Sequence, residues 1–192
     1  MKKGDIVYWN DPEGLTSDFY KIENIEPDND IVFIVNKHSE AEVFRYEIKP
    51  VNIKIHKGFW TRDQVARDTE SVYVFGDNIQ DNVNLYVPSS TQAVIRGLPN
   101  SRYIITKKNR YWNTQSFLTD KDLELFTQYL ELTIVMLHLD LLTGKTIIFP
   151  EQGLGTGKAM LKEKAPACWE YLCKGLKEEF DYDNGQNREN YQ

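Results

Sequence analysis

The sequence predicts an α/β protein in two parts: a small SH3-like β-barrel over residues 1–55, then an α/β domain over residues 58–180, with a polar tail over 181–192. Three observations carry this expectation. Residues 4–55 hold four or five short β-type runs separated by turn residues, the pattern of a small, strongly bent barrel. From residue 58 continuous apolar strands alternate with helical stretches, which requires a sheet covered by helices. The connector around Pro50 to Lys57 is not rich in Gly or Ser, so the two parts are expected to dock rather than hang on a loose tether.

The elements follow in order. IVYW (6–9) is apolar, with β-branched and aromatic residues, and DPEG (11–14) is a turn in which Pro fixes φ and Gly closes the bend. FYKIENI (19–25) alternates with period two, PDND (27–30) is a second turn, and DIVFIVN (30–36) reads as a buried strand. SEAEVFRYEI (39–48) alternates again, with Ala41, Val43, Tyr46 and Ile48 expected inward. TRDQVARD (61–68) opens a helix with a capping box, in which Thr61 accepts from the N–H three residues on and Gln64 reaches back. SVYVF (71–75) is an apolar strand of the kind buried on both faces. SSTQAVIRG (89–97) predicts a short helix capped by Ser89 or Ser90 and stopped by Gly97, and RYIIT (102–106) is a second strand.

Asp120 to Leu142 is a long helix, apolar almost all round. Leu123, Phe126, Leu130, Ile134, Leu137 and Leu141 make one stripe, with Leu125, Leu132, Val135, Met136, Leu139 and Leu142 besides, so the helix is expected to be packed inside the protein. TIIFP (146–150) is a third strand, and residues 158–180 form a helical pair with Pro166 in the first turn of the second helix. YDNGQNRENYQ (182–192) is polar and expected to be disordered.

Composition narrows the function classes. The 192 residues carry 23 Lys and Arg against 29 Asp and Glu, a net charge of −6. That balance argues against a nucleic-acid partner held by its phosphates, though not against a local basic patch. No apolar run approaches the roughly 20 residues that cross a bilayer. MKKGDIVYWND meets an acidic residue at once and is no signal peptide, so no membrane partner and a cytoplasmic location are expected. Cys168 and Cys173 stand five apart, neither a metal knuckle nor a redox pair, and read as small apolar residues of a reduced protein. His38, His56 and His138 are scattered, and His138 reads as a core histidine. There is no Gly-x-Ser-x-Gly elbow and no metal-spaced cluster, so no metal, cofactor or catalytic set is implied. Trp9, Trp60 and Trp169 read as core or interface residues. Trp112, beside Tyr111, is the exception, placed to act as a lid over a base.

Three stretches could bind a ligand. In FPEQGLGTGKAML (149–161) a strand is followed by Gly153, Leu154, Gly155, Thr156, Gly157 and Lys158, then a helix. Glycines there expose backbone N–H groups beside a helix N-terminus, which makes an anion cradle; the alternative is a tight turn with no ligand. The spacing is neither the Walker nor the dinucleotide fingerprint. VFGDN (74–78) ends the first α/β strand, and Gly76, Asp77 and Asn78 fall where open α/β sheets hold ligands; the alternative is an Asx-turn. Gln92 and Arg96 share a helix face, and Thr106 and Lys107 end the second strand. Lys107, Lys108 and Arg110 form a short basic run that otherwise reads as a solvated turn.

The ordered set WTRDQV (60–65), VFGDN (74–78), QAVIRGLPN (92–100), TK (106–107), FLTD (117–120), PEQGLGTGKAML (150–161) and AP (165–166) resembles a macrodomain-like family of bacterial and phage proteins. The resemblance spans Phe59 to Leu172. It implies a three-layer αβα sandwich with a cleft for ADP-ribose or a related nucleotide-type small molecule. It would place the diphosphate on the 153–157 loop and the base near Asp77. In a phage-encoded member, sequestration of a host signalling nucleotide is the implied use. One departure stands out: residues 79–91, IQDNVNLYVPSST, contain no glycine where the family is glycine-rich. Glycine there permits close backbone approach to a ligand, so the expectation is binding rather than hydrolysis of an ADP-ribosyl bond. A protein partner on the N-terminal β-module, with the cleft vestigial, is the remaining alternative.

Overall fold

The computed structural model describes residues 1–26, 30–82, 89 and 91–185. The first three residues of the expected 27–30 turn, residues 83–88 of the glycine-free stretch, Ser90 and tail residues 186–192 lie outside the described residues.

The chain is mixed α/β, with an antiparallel sheet followed by a parallel one covered by helices. The first sheet holds β1 (Ile6–Trp9), β2 (Asp18–Ile25), β3 (Ile31–Val35), β4 (Glu40–Phe44) and β5 (Ile48–Pro50) in the order β4-β3-β2-β1-β5. Alternation sends Val7, Tyr20, Ile22, Val32, Ile34, Val43 and Ile48 into a small core of its own. Tyr46 does not follow. The chain turns through a 3₁₀ segment at Arg45–Glu47, which breaks the period of two and leaves Tyr46 exposed, stacked on Phe44.

The second sheet is parallel, in the order β6-β9-β7-β8, with β6 (Ile53–His56), β7 (Ser71–Asn78), β8 (Ser101–Lys107) and β9 (Thr146–Pro150). The expected connector is therefore partly a strand: Ile53 to His56 pair with Ile147 to Pro150 at the sheet edge. IKIH is too short and too lysine-broken to stand out from a linker. On one face Trp60, Val65 of α1 (Arg62–Arg67), Tyr73, Phe75, Ala93, Ile95 and Ile148 form a cluster. On the other, Val72, Val74, Ile147 and Phe149 pack under α3 (Leu123–Leu142) and α5 (Pro166–Phe180). Short helices α2 (Ile79–Asn82) and α4 (Leu161–Lys164) follow β7 and precede α5.

Two helix expectations change. Residues 92–95 form a 3₁₀ turn, and its cap is Thr91, which accepts from the Ala93 N–H, rather than a serine. Thr61 does cap α1 by accepting from Gln64. In α3 only one face is buried: Phe126, Leu130, Thr133, Leu137 and Leu141. Leu125, Leu132, Val135, Met136, Leu139 and Leu142 are exposed. Length and composition would let α3 cross a bilayer. It lies instead as an outer layer against β8, β9 and α5, and a helix in an outer layer has neighbours on one side only.

The antiparallel sheet docks on the helices. Phe19 and Ile6 join the larger core, Phe19 stacks on His138 at 4.3 Å, and Lys21 and Lys37 pair with Asp181 and Glu179 at 2.8 Å. Residues 182–185 pack in place too. Tyr182 stacks on Phe149 at 4.4 Å and donates to the Pro150 carbonyl at 2.5 Å, and Asn184 is buried. A polar composition predicted disorder for these four, but two of them fill specific sites under β9.

Candidate functional site

β7, β8 and β9 run parallel, so their carboxyl ends open on one edge, where open α/β sheets hold ligands. β7 ends in Gly76, Asp77 and Asn78, β8 in Thr106 and Lys107, and β9 runs into Gly153 to Lys158. Gly76 is closely surrounded: a methyl there would lie 3.2 Å from Thr106 Oγ1 and 3.8 Å from the Gly155 nitrogen. Gln92 is a strut between the pieces. It accepts from the Gly76 N–H at 3.4 Å, donates to the Gly153 carbonyl at 3.3 Å, and its own carbonyl receives the Trp60 indole. Thr106 donates to the Asp77 carbonyl at 3.2 Å.

Asp77 and Asn78 face inward. Arg96 Nε donates to Asp77 Oδ2 at 2.6 Å and Arg96 Nη2 to Oδ1, while the Asn78 N–H also reaches Oδ1 at 2.8 Å. Asn78 caps α2. Its Oδ1 accepts from the Asp81 N–H at 2.9 Å, and its amide donates to Asp81 Oδ2 at 3.0 Å. Arg110 closes the chain of charges on Asp81 Oδ1 at 2.6 Å. Burial pushes the Asp81 carboxyl up, but hydrogen bonds from Asn78 and Arg110 and the charges of Arg110 and Arg96 outweigh it and hold it below its usual value. The Asp77 bond pushes the Arg96 guanidinium up. Asp77 and Arg96 therefore hold each other, and both carboxylate oxygens of Asp77 are engaged within the protein at the end of β7.

The other side of the edge is cationic. Lys107 is buried, and its ammonium donates to the Tyr111 carbonyl at 2.7 Å and lies over the rings of Phe117 (4.6 Å) and Trp112 (5.0 Å). Among the described residues it meets no carboxylate. Burial, and then the charge of Lys158, push it below the ordinary lysine value. Lys164 also lies over the Phe117 ring, at 5.6 Å. The basic run is thus not a solvated turn: Lys108 pairs with Asp122 at 2.9 Å and Arg110 with Asp81, which leaves Lys107 as the member facing other cations. Trp112 and Tyr111 are both exposed beside it.

The glycine loop is held from beneath. Asn184 accepts from the Leu154 N–H at 2.6 Å and donates to its carbonyl at 3.0 Å, so Leu154 is fixed and buried. Gly153, Gly155 and Gly157 all take positive φ. Among the described residues the N–H groups of Gly155, Thr156 and Gly157 donate to no protein atom. The Thr156 hydroxyl is already given to the Gln152 carbonyl at 2.9 Å, so it is not free for a phosphate. The expected helix after the loop is a 3₁₀ turn, Gly157–Ala159, and then the four residues of α4. A helix that short adds little dipole, so the cradle rests on bare N–H groups and lysines.

Every expected site residue thus lies at one sheet edge. Gly155, Thr156 and Gly157 offer backbone donors, and Lys107 and Lys158 offer charge. Gly76, Gln92, Thr106, Gly153 and Leu154 build the wall, and Asp77, Asn78 and Arg96 form a buried network behind it. Sequence reasoning missed Asp81 and Asn184, and it had Arg110 only as a member of the basic run. Only Asp81 had a local signal, three residues after Asn78 as a helix-cap partner is. A cavity of about 320 Å³ lies elsewhere, between β2 and α5, lined by Phe19, Lys21, Lys37, Lys177 and Glu179 among others. Its lysines are paired with Asp181, Glu179 and Asp183, so none of them is free for an anionic ligand.

Residues 55–175 match a family of unknown function (DUF7831). No curated protein and no solved structure matches the chain.

Proposed function

The chain belongs to the DUF7831 family, and on that premise we propose that its α/β unit binds ADP-ribose or a related nucleotide-derived ligand by its diphosphate. The observation that carries the reading is Lys107, a buried ammonium whose hydrogen-bond partner is a carbonyl and whose charged neighbour is another lysine. A buried cation without a counter-charge is costly, and an anion at the strand ends would relieve that cost. The three bare N–H groups at 155–157 supply directed donors for the same anion, and exposed Trp112 supplies a ring for a base.

Binding is favoured over ADP-ribosyl hydrolysis because Asp77 and Asn78, the acid and amide at the strand end that could position water, are held by Arg96 and Asp81. The helix-covered parallel sheet suits a macrodomain-like sandwich, and the meander with β1 beside β5 suits an SH3-like barrel. Sequestration of a signalling nucleotide in the cytoplasm is the use such a binder would serve.

A melting-temperature panel tests the reading, with ADP-ribose, NAD, cyclic ADP-ribose isomers, cyclic dinucleotides and mononucleotides. A ligand at 100 times its dissociation constant stabilises by about 2.7 kcal/mol, a rise of several degrees. Lys158→Glu, on an exposed side chain, should abolish the rise without lowering the unliganded melting temperature. No rise with any compound would overturn the proposal. A second reading, docking of a protein partner on the β-module, rests on Phe44 and Tyr46, stacked at 5.4 Å and exposed. It predicts loss of that partner in Tyr46→Ser with nucleotide binding intact.

A further inference from the structure

We propose that the exposed face of α3 is the interface of an antiparallel homodimer. Leu125, Gln128, Leu132, Val135, Leu139 and Leu142 are all exposed and follow one another at intervals of 3, 4, 3, 4 and 3 residues. That is a heptad seam, a narrow stripe that fits the knobs-into-holes packing of a second helix. The buried face of α3 does not need these residues, since Phe126, Leu130, Leu137 and Leu141 already fill the core.

The occupant follows from the symmetry of the stripe. Turned end to end about a two-fold axis between residues 133 and 134, the seam meets itself: Leu125 faces Leu142, Gln128 faces Leu139, and Leu132 faces Val135. An isologous interface requires this self-matching. Charge sets the direction. The exposed acids of the flank, Glu124 and Glu131, stand in the first half of the helix, and Lys145 follows its last turn. Antiparallel pairing brings each acidic half beside the partner's lysine end, whereas parallel pairing sets the acids of the two copies side by side. Leu132 is 65% and Val135 54% exposed at the centre. The stripe amounts to roughly 500 Å² per copy, so two approach the ~1,000 Å² of a specific interface. Glu124 and Glu131 border the stripe on one side and exposed Met136 on the other, and an acid-edged stripe suits a helix better than a lipid surface.

Sedimentation equilibrium of the full chain tests this. The wild type is expected at twice its 22.5 kDa at micromolar concentration. Leu132→Glu/Val135→Glu, which sets acids against each other across the seam, should run as a monomer with unchanged far-UV circular dichroism. Orientation is read by cross-linking. A mixture of Leu125→Cys and Leu142→Cys chains should form an inter-chain disulfide that neither forms alone, and the native cysteines, both buried, do not interfere. A monomeric wild type, a dimer that survives the double substitution, or Leu125→Cys chains that cross-link to themselves would overturn the proposal. So would a monomer that pellets with phosphatidylcholine vesicles, which would assign the face to lipid.

Discussion

Arg96 and Asp77, nineteen residues apart, form a two-pronged ion pair almost wholly out of water, 2% and 4% exposed. It joins the 3₁₀ turn after Thr91 to the end of β7, and Asp81 and Arg110 extend it into a chain of two acids and two guanidiniums. Burying such a pair adds little stability in itself, but removing one partner strands the other. Arg96→Met should therefore lower stability by about 3–5 kcal/mol, as measured by urea unfolding. Asp77→Asn/Arg96→Met should cost clearly less than the sum of the single changes. Additive costs would mean that the two residues act independently. Loss of binding in Asp77→Ala would accordingly report a disturbed strand end, not a lost ligand contact.

Asn184 fixes the loop from below through both polar groups of Leu154. Asn184→Ala leaves a buried N–H and a buried carbonyl without partners, a loss of about 1–3 kcal/mol. Hydrogen exchange should show faster exchange at Leu154 and its neighbours in the variant, with β2 and β3 unchanged. Unaltered protection at Leu154 would contradict this account of the loop.

Lys107 should reduce the stability of the empty protein. Lys107→Met keeps the stem over Phe117 and Trp112 and removes the unmatched charge. It is expected to raise unliganded stability by about 1 kcal/mol, the pattern of a residue kept for binding. Thermal unfolding reads this directly, and a fall of similar size would assign Lys107 a structural role instead.

His138 predicts a pH dependence. Burial outweighs the attraction of Glu179 and Asp18 and holds its pKa below 6.5. Its Nε2 lies 3.4 Å from Glu179 without hydrogen-bond geometry, and Lys37 takes the other carboxylate oxygen at 2.8 Å. A depressed folded pKa means that the unfolded chain binds the proton first. The stabilising contribution is present above pH 6.5 and is lost as pH falls from there through the folded value. Urea unfolding between about pH 7 and pH 5 should show a steeper decline for the wild type than for His138→Phe. Parallel curves would show that His138 does not titrate on unfolding.

Much of this was legible in the chain. Period-two alternation located β2 and β4, and apolar runs located β1, β3, β7, β8 and β9. The expected site residues do meet at one sheet edge, because motifs at strand ends inherit their position from the sheet. Pairing was not legible. Whether Asp77 faces a ligand or Arg96 depends on a turn nineteen residues away, and Asn184 reaches the loop from a polar segment with no local pattern. For α3, composition gave an apolar surface on all sides, but only the neighbours decide which half is covered.

The most direct test of the central claim is calorimetric titration of ADP-ribose into the wild type and into Lys158→Glu, at low and at high salt. The account predicts saturable binding that weakens as salt rises and drops at least tenfold in Lys158→Glu, with adenosine, which lacks the diphosphate, binding far more weakly than ADP-ribose. Equal affinity for adenosine and ADP-ribose, or binding that ignores both salt and the loss of Lys158, would contradict it.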